Sequence, residues 1–451
     1  MVGRTVGHFS YYESVAAALL DRGARVDLIL DKDRSRKWAP GDRSLQAFMA
    51  GRKGFARGWL TRRSDRWREP LFGLRELRTY RSYLVREQTT AFYVARWRGY
   101  LGPRAKALSG HGWFRAMLRT ALADAALRLT EIAAPADRAI TEFLKKKQPD
   151  LVFASPLNMR FAEETDYVKA AVALGIPTAA LVQTWDSLTT KGLFQVLPDR
   201  LFVWNAEQAA DAEAIHRFPR DCIEIAGAPF FDKWFAEPGD LPDRAAFCRM
   251  AGLDPARPIL LYLGSSRNIA GDETWLVEEL LQRLAAAAPA VQVLVRPHPA
   301  NAAIYAPLAD RGVAVWPRGG ALPETADDFA GMRASFSHAA AAVGINTSGM
   351  IDAVLADVPT FTVKLPQYAA TQAEAAHFRY LERASAMYLA EDLEDLTGGL
   401  TAVLDGRDPK TADRRAFAGR FARPRGLERS AGDVIAEQLI AMATQGRAKR
   451  G

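Results

Sequence analysis

The chain has 451 residues, too many for one hydrophobic core, and with 49% hydrophobic and 25% charged residues it reads as globular, with two domains of ordinary size. No run approaches the roughly 18 uncharged apolar residues of a membrane span, and the N-terminus lacks a charged segment followed by an apolar core and cleavage site, so a cytoplasmic protein is expected. The formal net charge is +8; the two cysteines, Cys222 and Cys248, build no disulfide framework or Cys/His cluster, and no metal or cofactor is expected.

The opening "GHFSYYESVAAALLDRGARVDLIL" predicts loop, a helix from Tyr12 to Leu20, a turn at Gly23 and a strand in "ARVDLIL". The stretch before it, "MVGRTV", is short and weakly apolar for a first strand, so either that strand is degenerate or the numbering starts late. From Lys32 to Arg119 there are 22 Lys and Arg against 6 Asp and Glu, a net +16 that leaves the rest of the chain acidic. Aromatics are interleaved with these charges, as in "RKGFARGWLTRRSDRWREP". The segment reads as a basic helical insertion, about 32–130, either solvated with snorkelling arginines or forming a surface for anionic lipid headgroups or an acidic acceptor. The usual nucleic-acid-binding motifs are missing, and no nucleic acid partner is expected.

Beyond the insertion, "ADRAITEFLKKKQPDLVFASP" predicts helix, turn and buried strand, followed by a helix in "EETDYVKAAVALG", a strand in "PTAALVQ", the polar loop "TWDSLTTKG" and a strand in "RLFVWN". Pro and Gly cluster in "AGAPFFDKWFAEPGDLP", the expected domain boundary. The cycle then repeats: "PILLYLGSS", "DETWLVEELLQRLAAAAP", "VQVLVRPHP", and "AAAVGINTSGMIDAVLADVPTFTV", before an amphipathic helix in "SAGDVIAEQLIAMATQ". Alternating strands and helices predict two doubly wound parallel sheets. The expected division is 1–225, 226–405 and a helical tail, 406–451, free to pack back on the first domain.

Three loops should share the carboxyl edge of the second sheet, where ligands bind in open α/β folds. Ser265, Ser266 and Arg267 follow a strand and precede a helix whose first turn is expected to hold Asp272 and Glu273. Arg296 and His298 stand between prolines that end the strand ladder. Asn346, Thr347 and Ser348 are expected to cap a helix start, with Gly349 admitting close backbone approach and Asp352 one turn in, where it can accept hydrogen bonds from vicinal hydroxyls. Together they suit a diphosphate and a sugar.

This arrangement resembles the two-domain GT-B class of sugar-nucleotide enzymes, in which two Rossmann-like domains face each other across a cleft. "RPHP" followed by "NTSGMIDA" resembles its polysaccharide branch: CDP-glycerol glycerophosphotransferases, Kdo transferases and bacterial sialyltransferases with a His-Pro motif. "SGMIDA" is also similar to the nucleotide loop of UDP-N-acetylglucosamine 2-epimerases, although the N-terminal half lacks their Gly-Thr-Arg-Pro-Glu start. "QTWDSLTTKG", "PDRLFVWNAEQ", "RPILLYLGSS", "LVRPHP", "VGINTSGMIDAVLADVPTFTV" and "QAEAAHFRYL" occur in this order in a broad bacterial glycosyltransferase-like family.

The resemblance implies that Arg296, His298, Thr347 and Ser348 contact the phosphates of a CMP-, CDP- or UDP-linked donor and Asp352 its ribose. It implies a metal-independent glycosyltransferase acting on a glycan or lipid-linked acceptor in surface polysaccharide or glycolipid assembly, cytoplasmic or peripheral on the inner membrane face. The alternatives are a non-hydrolysing epimerase and a non-catalytic nucleotide- or glycan-binding scaffold. An inverting transferase needs a base for the acceptor hydroxyl, and the candidates are Asp186 and His8. Trp185 is a candidate for sugar stacking and Lys191 for phosphate contact. Gln372 and His377 are expected to line the cleft, with no chemistry assigned.

Overall fold

The computed structural model describes residues 1–37, 42–237 and 239–450, so residues 38–41 of the basic segment, Pro238 of the boundary stretch and Gly451 lie outside the described residues. The chain divides into two compact units, Met1–Asp232 with Phe421–Gly451, and Lys233–Arg420. These crossing points lie later than the 225/226 and 405/406 expected from the sequence. Asp232 accepts the backbone N–H groups of Ala431 and Gly432, each at 2.9 Å, and pairs with Arg423 at 3.1 Å, which fastens both segments to the first unit. Residues 406–420 are tied to the rest of the second unit by Arg414, which pairs with Asp357 at 2.8 Å.

The first unit contains seven parallel strands: β1 (Val2–Gly3), β2 (Val26–Leu30), β3 (Phe55–Trp59), β4 (Val152–Ser155), β5 (Thr178–Leu181), β6 (Arg200–Val203) and β7 (Ile223–Ile225), in the order 3-2-1-4-5-6-7. Successive residues of the central strands serve opposite cores. Val152, Ala154, Ala180, Leu201 and Val203 join one apolar cluster, and Phe153, Ala179, Leu181 and Phe202 the other. The second cluster is completed by Val434, Ile435 and Leu439 of the tail helix Ala431–Arg450, which packs on the helix Glu13–Asp21. β1 is two residues long, and Gly3 explains its weak signature. A Cβ there would stand 2.2 Å from the Tyr12 hydroxyl and 2.9 Å from Leu30, so the middle of this sheet has no room for an apolar side chain at that position.

The basic segment is not wholly helical, a correction to the expected insertion. Residues 55–59 form β3, an edge strand paired in register with β2, Val26 opposite Phe55 and Leu30 opposite Trp59. Its pattern, half exposed with Arg57 and Trp59 outward, carries no apolar run. The long helix Arg68–Val85 turns arginines inward. Arg75 makes a bidentate pair with Glu131, both bonds 2.9 Å, and also reaches Asp166 at 2.9 Å. Arg63 pairs with Asp65 at 2.7 Å and Asp166 at 3.2 Å, Arg62 with Asp33, and Arg68 with Glu163, both at 2.9 Å. Three acids from beyond the segment, Glu131, Glu163 and Asp166, thus offset part of the local +16, and the buried Arg63 and Arg75 belong to no free basic surface.

The second unit has six parallel strands, β8 (Ile259–Leu263), β9 (Gln292–Arg296), β10 (Ala314–Val315), β11 (Ala339–Gly344), β12 (Thr360–Val363) and β13 (Tyr388–Ala390), in the order 10-9-8-11-12-13. Each sheet runs outward in both directions from its first strand, the doubly wound pattern expected from the sequence. The carboxyl ends of β9, β8 and β11 are therefore neighbours.

Candidate functional site

At the edge of the second sheet the loops after β8 and β9 are pressed together. Gly264 donates its N–H to the carbonyl of Arg296 at 2.9 Å, and a Cβ at Gly264 would meet the Tyr305 hydroxyl at 2.8 Å and the His298 nitrogen at 3.1 Å. Gly349, expected to admit such an approach, does not need to be glycine on this ground, because its Cβ would lie 3.5 Å from Leu263, ordinary contact.

The loop after β8 is not an open anion cradle. The backbone N–H of Ser265 donates to the buried carboxylate of Glu273, which also accepts from Tyr305 at 2.6 Å and Tyr262 at 3.1 Å. Burial pushes this carboxyl above the usual range against those three donors. Asp272 and Glu273 precede the helix Thr274–Ala287 rather than forming its first turn, Asp272 accepting from the Thr274 N–H at 2.9 Å. Ser265 is fully buried, Ser266 half-buried and Arg267 exposed.

Arg296 ends β9 with its guanidinium carbon 5.5 Å from the ring centre of Trp316. Its Nη1 is buried and has no hydrogen-bond partner among the described residues. Burial lowers its pKa to about 10, opposed by the charge of Asp352. Two residues on, Nδ1 of His298 accepts the Ala300 N–H at 3.0 Å, which leaves the proton of the neutral ring on Nε2. Burial lowers this imidazole's pKa as well. Arg296 and His298 thus offer cationic and neutral N–H donors on one short turn, a pairing suited to phosphate oxygens.

After β11 the expectations are met only in part. Ser348 is exposed at the start of the helix Gly349–Leu355 but makes no side-chain cap, and Thr347 is buried. The Asn346 amide turns the other way, donating to the Thr371 carbonyl at 2.6 Å and meeting Nε2 of His377 at 3.1 Å. Gln372 donates to the carbonyls of Ile345 at 2.9 Å and Val363 at 3.0 Å. Asn346, Gln372 and His377 are therefore buried braces between the loops after β11 and β12, not lining residues. Asp352 is also buried, and Oδ1 accepts the indole N–H of Trp234 at 2.6 Å. Its pKa is pushed up to about 6 by burial, against Lys233, that hydrogen bond and Arg296.

Trp234, Trp316 and Glu273 were not legible as site residues. Trp234 lies in the Pro/Gly-rich boundary stretch, Trp316 follows an unrecognised edge strand, and Glu273 reads as an ordinary residue at a helix start.

The first unit carries its own cluster at the carboxyl edge. His8 follows β1 in a 3-10 turn, Val6–Tyr11, with Nδ1 2.8 Å from the Thr5 hydroxyl, and burial with the charges of Arg4, Arg34 and Lys191 lowers its pKa to about 3. After β5, the Asp186 carboxylate accepts from Thr184 at 2.7 Å and Thr190 at 2.6 Å and pairs with Lys191 at 3.1 Å. Trp185 is buried rather than open for stacking. The fold thus brings His8, Asp186 and Lys191 together but engages each. Among the described residues, no group of three His, Cys, Asp or Glu is placed to hold a metal.

No protein-family model matches the chain, and no curated protein matches its sequence. Solved structures do match. The UDP-GlcNAc 2-epimerase from Methanocaldococcus jannaschii is similar with a TM-score of 0.54 and 12% identity, over 98% of this chain and 99% of that one. The UDP-GlcNAc 2-epimerase from Neisseria meningitidis, bound to UDP-GlcNAc, gives 0.53 and 11% over 98% and 99%. A putative UDP-N-acetylglucosamine 2-epimerase from Listeria monocytogenes gives 0.53 and 12% over 100% and 97%. At these identities the likeness is one of fold, and the fold is GT-B-like, with two Rossmann-like domains of parallel sheet.

Proposed function

We propose that the protein is a nucleotide-sugar enzyme of the glycosyltransferase type, moving a sugar or glycerophosphate-like unit to a glycan or glycolipid acceptor. The observation that carries this reading is the turn after β9. The Arg296 guanidinium has a buried Nη1 with no hydrogen-bond partner among the described residues, beside His298, whose ring proton is directed to Nε2. A diphosphate would satisfy both, and its negative charge would offset the burial of the guanidinium. The whole-length fold likeness to a protein bound to UDP-GlcNAc supports a nucleotide sugar as the donor. In this reading, Arg296 and His298 stabilise charge on the leaving phosphate, Ser348 and Thr347 flank it, and Asp352, already bonded to Trp234, lies buried one turn into the helix behind them. In the first domain, Asp186 takes the proton of the acceptor hydroxyl, with Lys191 and the two threonines orienting its carboxylate.

The test is turnover of UDP-, CDP- and CMP-linked sugars with and without glycan or lipid-linked acceptors, followed by release of free nucleotide. Acceptor-dependent release supports transfer. Conversion of the nucleotide sugar alone would assign the epimerase reading, and binding without turnover the scaffold reading.

A further inference from the structure

The helix Ala121–Ala133 is inside out. Its two acids are buried: Asp124 pairs with Arg81 at 3.2 Å and with Arg217, and Glu131 with Arg75 at 2.9 Å and Lys169 at 3.1 Å. Its large apolar residues are turned outward, with Leu122 79%, Leu129 64% and Ile132 71% exposed. At 100° per residue these three fall within about 80° of one another, and the carboxylates lie on the opposite side. A water-facing helix has no reason to bury acids and expose leucines, and scattered single apolar residues would not share one stripe. The preceding helix, Gly112–Arg119, exposes Trp113 and Met117, one turn apart.

The exposed charges along residues 103–133 have one sign. Asp124 and Glu131 are the acids between residues 103 and 133, and both are buried, whereas Arg104, Lys106, Arg119 and Arg128 are exposed. Beside the helix a groove of about 260 Å³ is lined by Arg78, Arg128, Lys169 and Arg217 together with Ile132 and Val172. Its acid, Glu131, is already neutralised, and Nε of Arg78 is buried with no hydrogen-bond partner among the described residues.

From this geometry we infer that the helix Ala121–Ala133 docks the protein on an anionic lipid bilayer, with Leu122, Leu129 and Ile132 entering the acyl boundary and the surrounding cations meeting lipid phosphates. Apolar side chains on one face, exposed charges along residues 103–133 that are all basic, and a cationic groove opening beside the apolar stripe are the chemistry of an interfacial helix. A second copy of this chain is disfavoured as the occupant, because it would bring the same positive charges face to face. No described helix is long and apolar enough to cross a membrane, so attachment would be peripheral.

The experiment uses the full chain and vesicles of phosphatidylcholine with and without phosphatidylglycerol. The wild type should sediment with the anionic vesicles and not the neutral ones, and added salt should release it. The triple variant Leu122→Gln, Leu129→Gln, Ile132→Gln removes no buried contact, so it should fold, yet lose about 100-fold or more in partitioning. Arg119→Gln with Arg128→Gln should weaken binding with the apolar stripe intact. Nucleotide titration of the same proteins keeps this test separate from the proposed transfer, since none of these residues lies in the second domain. Absence of binding to anionic vesicles at low salt would overturn the inference, as would full binding by the triple variant, or a dimer that the triple variant abolishes.

Discussion

Nε1 of Trp234 donates to Oδ1 of Asp352 across 2.6 Å, a buried bond joining residues 118 positions apart. With the charges of Lys233 and Arg296, this bond holds the Asp352 pKa, raised by burial, at about 6 rather than higher. Because the folded value lies above the ordinary 3.8, this group stabilises the fold below that pH and loses its contribution as pH rises through about 6. Trp234→Phe removes the donor and should move the folded pKa up further. The expected loss is about 1–3 kcal/mol at pH 8 and distinctly less at pH 4, where the carboxyl is protonated. Equal losses in denaturant melts at the two pH values would contradict this.

Gly264 and Gly349 form a matched pair of probes. Gly264→Ala forces a methyl against Tyr305 and the His298 backbone, so the loops after β8 and β9 must part. A cost of about 1–3 kcal/mol is expected, with loss of nucleotide-induced stabilisation. Gly349→Ala meets only Leu263 at ordinary distance and should leave both thermal stability and ligand response near wild type.

Glu76 gives a pH signature in the first domain. Burial pushes its carboxyl up to about 7, against Arg160 at 3.7 Å and the charge of Arg4. Its stabilising contribution is complete below the ordinary 4.5 and fades as pH rises to about 7. Glu76→Gln resembles the protonated form, so its stability relative to wild type should rise across that window by on the order of 3 kcal/mol and then level off. Parallel pH profiles for the two proteins would remove Glu76 as the source.

The acceptor side is tested by Asp186→Asn, which keeps a group able to meet Thr184 and Thr190 but cannot take a proton. Transfer should fall by roughly 100-fold or more while nucleotide affinity is retained. Unchanged transfer would shift the base role away from Asp186.

The strands legible in the sequence are those buried on both faces. β4, β5, β6, β8, β9, β11 and β12 each carry an apolar run, and together with β2 they were enough to predict two doubly wound sheets. β3, β7, β10 and β13 are not legible, and all four are sheet edges: β7, β10 and β13 are only two or three residues long, and β3 has three exposed residues of five. The site shows the same division. Arg296 and His298 could be read because prolines mark the end of a buried strand. That Asn346, Gln372 and His377 are braces, that Glu273 occupies the Ser265 amide, and that Trp234 reaches Asp352 depend on contacts between residues far apart in the chain, which residue type and spacing do not encode. In the basic segment, charge was legible but its partners were not, since Arg63 and Arg75 meet acids about a hundred residues away.

Whether the turn after β9 receives the phosphates of a nucleotide sugar is decided by calorimetric titration of UDP, CDP, CMP and their sugars into wild type, His298→Ala and Arg296→Met. The wild type should bind at least one nucleotide, and each folded variant should bind it more weakly by about 1.5–3 kcal/mol, roughly 10- to 150-fold. Absence of binding by the wild type, or wild-type affinity in both variants, would contradict this.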